Sequence, residues 1–385
     1  MAMLPKERVR AAFEGKPTDR VPIYNISFSS EVASRILGRE AYVGGGIQRW
    51  REARALWEGE EAHKEYLERT LQDAFDVSVA VGHDLVRLQY WRMPEKPTKK
   101  IDEHTYLYGD PDGEWRIHQL DPVTEMFEIV DQRPKPSEDF DYEWLEEYVA
   151  REERGLEEFH PTAEKFASIR DMIERFGKEH ALRIAGGSLE VPYHLSIWLE
   201  ATLLRPDLVG RHLDVEVERA LRSMEHMAAA GVEYMFGGGD MASKDGPFYS
   251  PRVFDQLMLP RLKRIAEACH RHGMFYLFGS DGNLWPVADS LFGKSGVDGH
   301  YELDGSASMD LAKVRERFPH LTLIGNISSI TLHTGTPHEV VAETEAALQA
   351  AKDGLGMIVG VSNLLMPGTP QANLDALFET MERCR

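Results

Sequence analysis

The stretch from residue 232 to residue 283 leaves this chain fewer folds to choose from than any other. An apolar run, Val232-Glu233-Tyr234-Met235-Phe236, stops at three glycines and Asp240. Ser250 then offers an N-cap and Pro251 the first helical position, where a missing N–H is no loss. Phe254, Leu257, Met258, Leu262, Ile265 and Cys269 recur at three- and four-residue spacing, which predicts one buried helical face. Gly273 supplies a left-handed stop. A second apolar run, residues 274–278, ends in Gly279-Ser280-Asp281-Gly282-Asn283. Two strands in succession that finish in acidic, glycine-rich loops predict a barrel displaying chemistry at its carboxyl rim.

The alternation extends in both directions. Residues 21–26 read as the first strand, ending at Asn25, Ser27 and Ser29, and residues 47–70 as a charged helical tract. The apolar pieces 77–81 and 84–88, around Gly82-His83-Asp84, read as the second strand and its tip. Residues 181–185 form a strand ending at Gly186-Gly187-Ser188-Leu189-Glu190, and residues 206–230 a helix. Strands follow at 297–303, at 321–324 before Gly325-Asn326, and at 357–361 before Ser362-Asn363. Thr336-Pro337-His338-Glu339 has the capping-box arrangement and opens a helix to residue 352. The total is roughly eight strand–helix units, as a (β/α)8 TIM barrel requires, so the expected class is α/β in one domain spanning residues 1–385. A doubly wound sheet is the competing topology, but no glycine-rich dinucleotide fingerprint follows any strand. The pattern breaks near residues 100–135. There Tyr106-Leu107-Tyr108, the turn Gly109-Asp110-Pro111-Asp112-Gly113 and Trp115-Arg116-Ile117 predict an inserted β-hairpin, which Phe127-Glu128-Ile129-Val130 extends. Residues 137–159 are acidic, as a solvated helical face is.

Composition narrows the partners. Acidic residues outnumber basic ones by 64 to 44, a formal charge of -20, and no basic stripe is present to follow nucleic-acid phosphates. Two cysteines make no disulfide framework and fit a reducing cytoplasm. The opening MAMLPKERVRAAFEG is amphipathic and charged, unlike a signal peptide, and no run approaches the roughly 20 apolar residues of a membrane span. The expectation is a soluble cytoplasmic protein with a small-molecule ligand.

Glu7-Arg8-Val9 followed by Gly15-Lys16-Pro17-Thr18-Asp19-Arg20-Val21-Pro22 resembles the opening of the uroporphyrinogen decarboxylase superfamily. The resemblance continues through Ser250-Pro251 with Pro260, Ser280-Asp281-Gly282-Asn283, Gly325-Asn326, Gly335-Thr336-Pro337 and Thr369-Pro370. It implies a TIM-barrel enzyme with its pocket at the carboxyl ends of the strands, and it allows a homodimer. The superfamily includes decarboxylases and corrinoid-dependent methyltransferases, and this sequence departs from both. Where the decarboxylases carry a first-strand arginine pair for substrate carboxylates, Tyr24-Asn25-Ile26-Ser27-Phe28-Ser29 stands, and bidentate guanidinium–carboxylate pairing is hard to replace. Where the thiol methyltransferases place a zinc-binding His-x-Cys and a later Cys, this chain has Gly279, Asp281 and Ser362 or Asn363. Without thiolates the usual zinc site is lost, so no metal is expected. The implied function is a methyltransferase component acting on a small methylated substrate, its corrinoid supplied by a partner protein and no cofactor covalently bound. The alternatives are a decarboxylase of a porphyrinogen or other acid, and a barrel that only binds a ligand.

The residues expected to act follow from their places at strand ends. Asp240 and Asp281 sit in glycine-rich tips where a carboxylate can serve as acid, base or orienter; turn capping is the competing reading, and their common place on one barrel rim favours function. Asp84 matches the decarboxylases' central aspartate through Asp84-Leu85-Val86, by resemblance alone. These three are the catalytic candidates. His300 and Glu302 alternate on one strand and so are expected to share a face. With Asn25, Ser27, Glu190, Asn326, Ser362 and Asn363 they make up the expected substrate-binding set.

Overall fold

A computed structural model describes residues 2–135, 140–303 and 305–385. Short apolar runs following helices pair side by side into a parallel sheet. Its strands, among the described residues, are β1 (Leu85–Arg87), β2 (Ala181–Ala185), β3 (Tyr234–Gly238), β4 (Phe275–Gly279), β5 (Gly299–Leu303), β6 (Thr322–Ile327) and β7 (Met357–Val361), hydrogen-bonded in that order. The sheet is curled and TIM-like. Alternate side chains fill its inside, where Tyr24, Leu85, Ala181, Phe236, Leu277, Tyr301, Ile324 and Ile358 form one buried cluster. The opposite side chains meet the surrounding helices in a larger apolar layer.

Residues 21–26, expected as a strand, make one isolated bridge, Ile23 to Val359. Pro22 has no N–H to give a ladder, which thins the pairing here. The segment nonetheless touches both edges of the sheet. Tyr24 N–H donates to the Val359 carbonyl at 2.9 Å, and the Pro22 carbonyl accepts from Val359 N–H at 2.9 Å. On the other side Asp84 N–H donates to the Ile23 carbonyl at 2.9 Å. Ser27–Phe28 then runs parallel to Leu364–Leu365.

The strand expected over residues 77–81 is instead the last turn of a helix, Glu60–Ala80. Val77 is buried while Val79 is 46% exposed, a helical rather than a pleated arrangement of these valines. The strand proper is Leu85–Arg87, so Gly82-His83-Asp84 joins helix to strand at the amino rim and is no tip at all. The capping signals hold. Ser250 Oγ accepts from Val253 N–H, and Thr336 and Glu339 form the reciprocal box.

The inserted hairpin proves to be a four-stranded antiparallel sheet in sequential order, Lys99–Lys100, Thr105–Gly109, Trp115–Asp121 and Met126–Arg133. Tyr106, Tyr108, Leu120 and Phe127 bury one face of it against Trp50 and Ala53. The acidic tract forms the helix Tyr142–Glu157, with residues 137–139 outside the described residues. Among the described residues no helix is long and apolar enough to cross a membrane.

Candidate functional site

The loops after β3 and β4 lie side by side. Asp281 N–H donates to Asp240 Oδ1 at 3.5 Å, Met241 N–H to Ser280 Oγ at 3.2 Å, and Tyr193 OH to Asp240 Oδ2 at 3.4 Å. Asn363, just beyond β7, donates to Asp281 Oδ2 at 2.9 Å and so ties the last strand end to the fourth. The glycines have a packing role. A Cβ on Gly279 would fall 2.3 Å from Cζ of Tyr301, so only glycine lets that ring lie across the inside of the sheet. Its hydroxyl donates to the Gly237 carbonyl at 2.7 Å.

Glu302 owes its position to an irregularity in β5. His300 pairs with Leu323 and Leu303 with Gly325, so two residues on β5 oppose one on β6. Glu302 takes the extra place with φ of 68°, a left-handed conformation that costs a non-glycine residue about 1–3 kcal/mol and concentrates at functional sites. The bulge breaks the alternation that would have put His300 and Glu302 on one face. Tyr301 points inward, and Glu302 reaches a cavity of about 300 Å³ at the mouth. His300 is corrected to a structural role, because it points into the helix layer. It is 1% exposed, pairs Nδ1 with the Phe278 carbonyl at 2.8 Å, packs on Phe292, and is kept neutral by burial, which drops its pKa to about 4.

Two arginines that sequence reasoning missed face Glu302 in this cavity. Arg87 on β1 and Arg183 on β2 are register partners and line it together with Ser27, Tyr90, Trp91 and Asn363. Arg87 donates Nε to the Gln89 carbonyl at 3.0 Å and Nη1 to the Ile26 carbonyl at 3.2 Å. Arg183 donates Nη1 to the Tyr24 hydroxyl at 2.9 Å and lies over the rings of Tyr301 and Phe236. Burial, with Arg183 beside it, lowers the pKa of Arg87. Burial opposes the charge on Arg183 too, but the hydroxyls of Tyr24 and Tyr301 and the Glu302 carboxylate outweigh it and raise its pKa. Burial, with Asp281 and Asp240 nearby, pushes the Glu302 carboxyl up to about 7. The signal for both arginines was in the sequence, a lone cation inside the apolar runs Leu85-Val86-Arg87-Leu88 and Ala181-Leu182-Arg183-Ile184.

The insert completes the cavity wall with Thr124, Glu125 and Met126. The Glu125 carboxylate accepts from the backbone N–H groups of Ser30 and Glu31, at 2.7 Å each, and so docks on the start of the helix Ser30–Leu37.

The other candidates divide between the mouth and the interior. Ser27 and Asn363 line the cavity. Ser362 lies in a neighbouring hollow with Asp281, Ser243, Lys244, Ser306 and Ser328, and Asn363 lines both. Asn326 is half-buried at the end of β6 beside Gly305. Glu190 sits behind Asp240, its pKa raised by burial and by that neighbour.

Two further candidates are corrected. Asn25 is 1% exposed and saturated, holding Val361 N–H through Oδ1 and His83 Nε2 through its backbone and amide N–H groups. It joins strands and lines neither hollow at the mouth. Asp84 is fully buried at the amino end of β1, the rim opposite the mouth. Its oxygens accept from Arg8 Nη1 at 2.8 Å, Ile23 N–H at 2.9 Å and Arg385 Nη1 at 3.3 Å, which commits both of them to the scaffold.

Among the described residues no group of three or more His, Cys, Asp or Glu could hold a metal ion. Cys269 is buried in its helix against Met224, and Cys384 lies in the last helix, so neither supplies a thiolate to the mouth.

A family model described as uroporphyrinogen decarboxylase (URO-D) matches residues 191–384. No curated protein matches the chain. Among solved structures, a methyltransferase from Methanosarcina mazei is similar over 99% of both chains, with a TM-score of 0.58 and 19% identity. A D-allulose 3-epimerase from Methylomonas sp. is similar over 65% of this chain and 94% of its own, with a TM-score of 0.38 and 12% identity. A 3-keto-D-glucoside 4-epimerase from E. coli is similar over 58% and 85%, with a TM-score of 0.37 and 13% identity.

Proposed function

The chain belongs to the uroporphyrinogen decarboxylase family, and from that premise we propose a (β/α)8 enzyme that removes a methyl group from a small substrate and passes it to the corrinoid of a partner protein. One observation carries the reading. Glu302, with its carboxyl near pKa 7, is held in a small cavity where it can give a proton to a leaving heteroatom at neutral pH. The bond between methyl and heteroatom breaks, the methyl leaves without the bonding pair, and the heteroatom keeps the pair and takes the Glu302 proton. The carboxylate so formed lies opposite Arg183, whose charge stabilises it. Burial, aided by repulsion from Asp281, which Asn363 fixes, and from Asp240, keeps the proton on Glu302 beforehand.

The corrinoid would supply the methyl acceptor. The hollow of Ser243, Lys244, Ser306, Ser328 and Ser362 beside the cavity suits the amide-bearing rim of such a ring. Zinc–thiolate chemistry does not fit the residues present at the mouth.

Decarboxylation of a small acid is the second reading, favoured by the same proton, which would quench the carbanion left when carbon dioxide departs. The two separate on one panel of methylated and carboxylated substrates. Methyl transfer changes the visible spectrum of added cob(I)alamin or corrinoid protein and is lost in Glu302→Gln. Decarboxylation releases labelled carbon dioxide and leaves that spectrum alone. Neither change across the panel would leave a barrel that only binds.

A further inference from the structure

We propose that Arg87 and Arg183 form an anion subsite, so that the substrate is a small carboxylate with a flat apolar body. The substrate class rests on the function read above, but the subsite rests on geometry of its own. The two guanidiniums leave adjacent parallel strands at the same level, where neighbouring backbones are about 4.8 Å apart. Three of their donors are spent on carbonyls and a tyrosine hydroxyl. Among the described residues neither guanidinium makes an ion pair with a carboxylate; Glu302 acts on both only from beyond that range. Two like charges brought out of water with no carboxylate in direct contact are costly, and an anion of two oxygens between them lowers that cost.

The surroundings select what carries the anion. The mouth at large is acidic, with Asp240, Asp281 and Glu190 close by, so a polyanion is repelled and a single charge placed at the arginines is accepted. Tyr90 and Trp91 line the cavity with Met126 and Pro367, giving flat and apolar walls. Bound anion adds a negative charge near Glu302 and holds its proton more tightly, so binding and proton uptake are coupled.

Isothermal titration of the full-length protein with benzoate, against the uncharged isostere benzamide, tests the subsite without reference to turnover. Benzoate is expected to bind at least tenfold tighter than benzamide and to take up a fraction of a proton, read from its dependence on buffer ionisation near pH 7.5. Arg87→Gln and Arg183→Gln should each weaken benzoate tenfold or more and leave benzamide unchanged, while Arg183→Lys restores part of the difference. Unchanged thermal midpoints exclude misfolding as the cause. Equal affinities for the two probes, benzoate binding indifferent to both Gln variants, or no benzoate binding at millimolar concentration would each overturn the proposal. If benzoate binds as expected but no methylated carboxylate is turned over, the subsite stands and the methyl-transfer reading falls.

Discussion

The two rims of the curled sheet treat buried charge in opposite ways. At the amino rim Asp84 is flanked by Arg8 and Arg385, and Arg8 is shared with Asp19 at 2.6 Å, so each of these arginines has a carboxylate in direct contact. At the carboxyl mouth like charges are neighbours. Arg87 stands beside Arg183, and Glu302 shares its surroundings with Asp281 and Asp240. A knot of oppositely charged pairs fixes the chain, whereas a group of like charges is stable only in a fold that overrides its repulsion. Both rims are rich in aspartate and arginine. Pairing, and not composition, separates scaffold from site.

Breaking the amino knot should give the largest effect. Asp84→Ala strips Arg385 of its buried acid and is expected to cost about 3–5 kcal/mol, measured by chemical denaturation. If Asp84→Ala folded as wild type and lost only turnover, the division between the rims would fail. The mirror experiment is Glu302→Gln, which should lower turnover by about 10²–10⁴-fold without loss of stability.

The pH dependence of stability sharpens the contrast. The folded chain holds a proton on Glu302 up to about pH 7, whereas the unfolded chain releases it near about 4.3. Between these values the native state binds more protons, so stability falls as pH rises. Glu302→Gln removes that slope, and its advantage over wild type should grow by about 1–3 kcal/mol across the window. Glu216, also pushed up to about 7 by burial, contributes equally to both proteins and cancels. Denaturation midpoints at pH 5 and pH 8 that differ equally for the two proteins would contradict this.

The smallest effect belongs to the insert. Glu125→Gln weakens the charge that docks residues 124–126 on the helix start and should cost about 0.5–1 kcal/mol of local docking. Faster hydrogen exchange in that turn is the expected readout, with the global midpoint unmoved.

How far the site could be read from the chain depended on whether a local rule governed the residue. Asp240 and Asp281 were found because a glycine-rich stop after a strand is a local signal, and the barrel rim does bring them together. His300 and Glu302 were misread as sharing a face, since period-two alternation holds only for a regular strand and nothing in Gly-His-Tyr-Glu-Leu announces a bulge. Asp84 was misplaced by a few residues of helix. The valines at 77 and 79 suit either element, and an error there carries an aspartate from one rim to the other.

The sequence by itself determined the alternation of helices and strands, the caps at Ser250 and Thr336, and the interruption near residue 100, because each depends on neighbours within a turn or two. Tertiary structure alone decided that Arg87 would face Arg183 across 96 residues of chain and that both would look at Glu302. Strand register and curl set those meetings, and both are properties of the whole curled sheet, which no single segment carries.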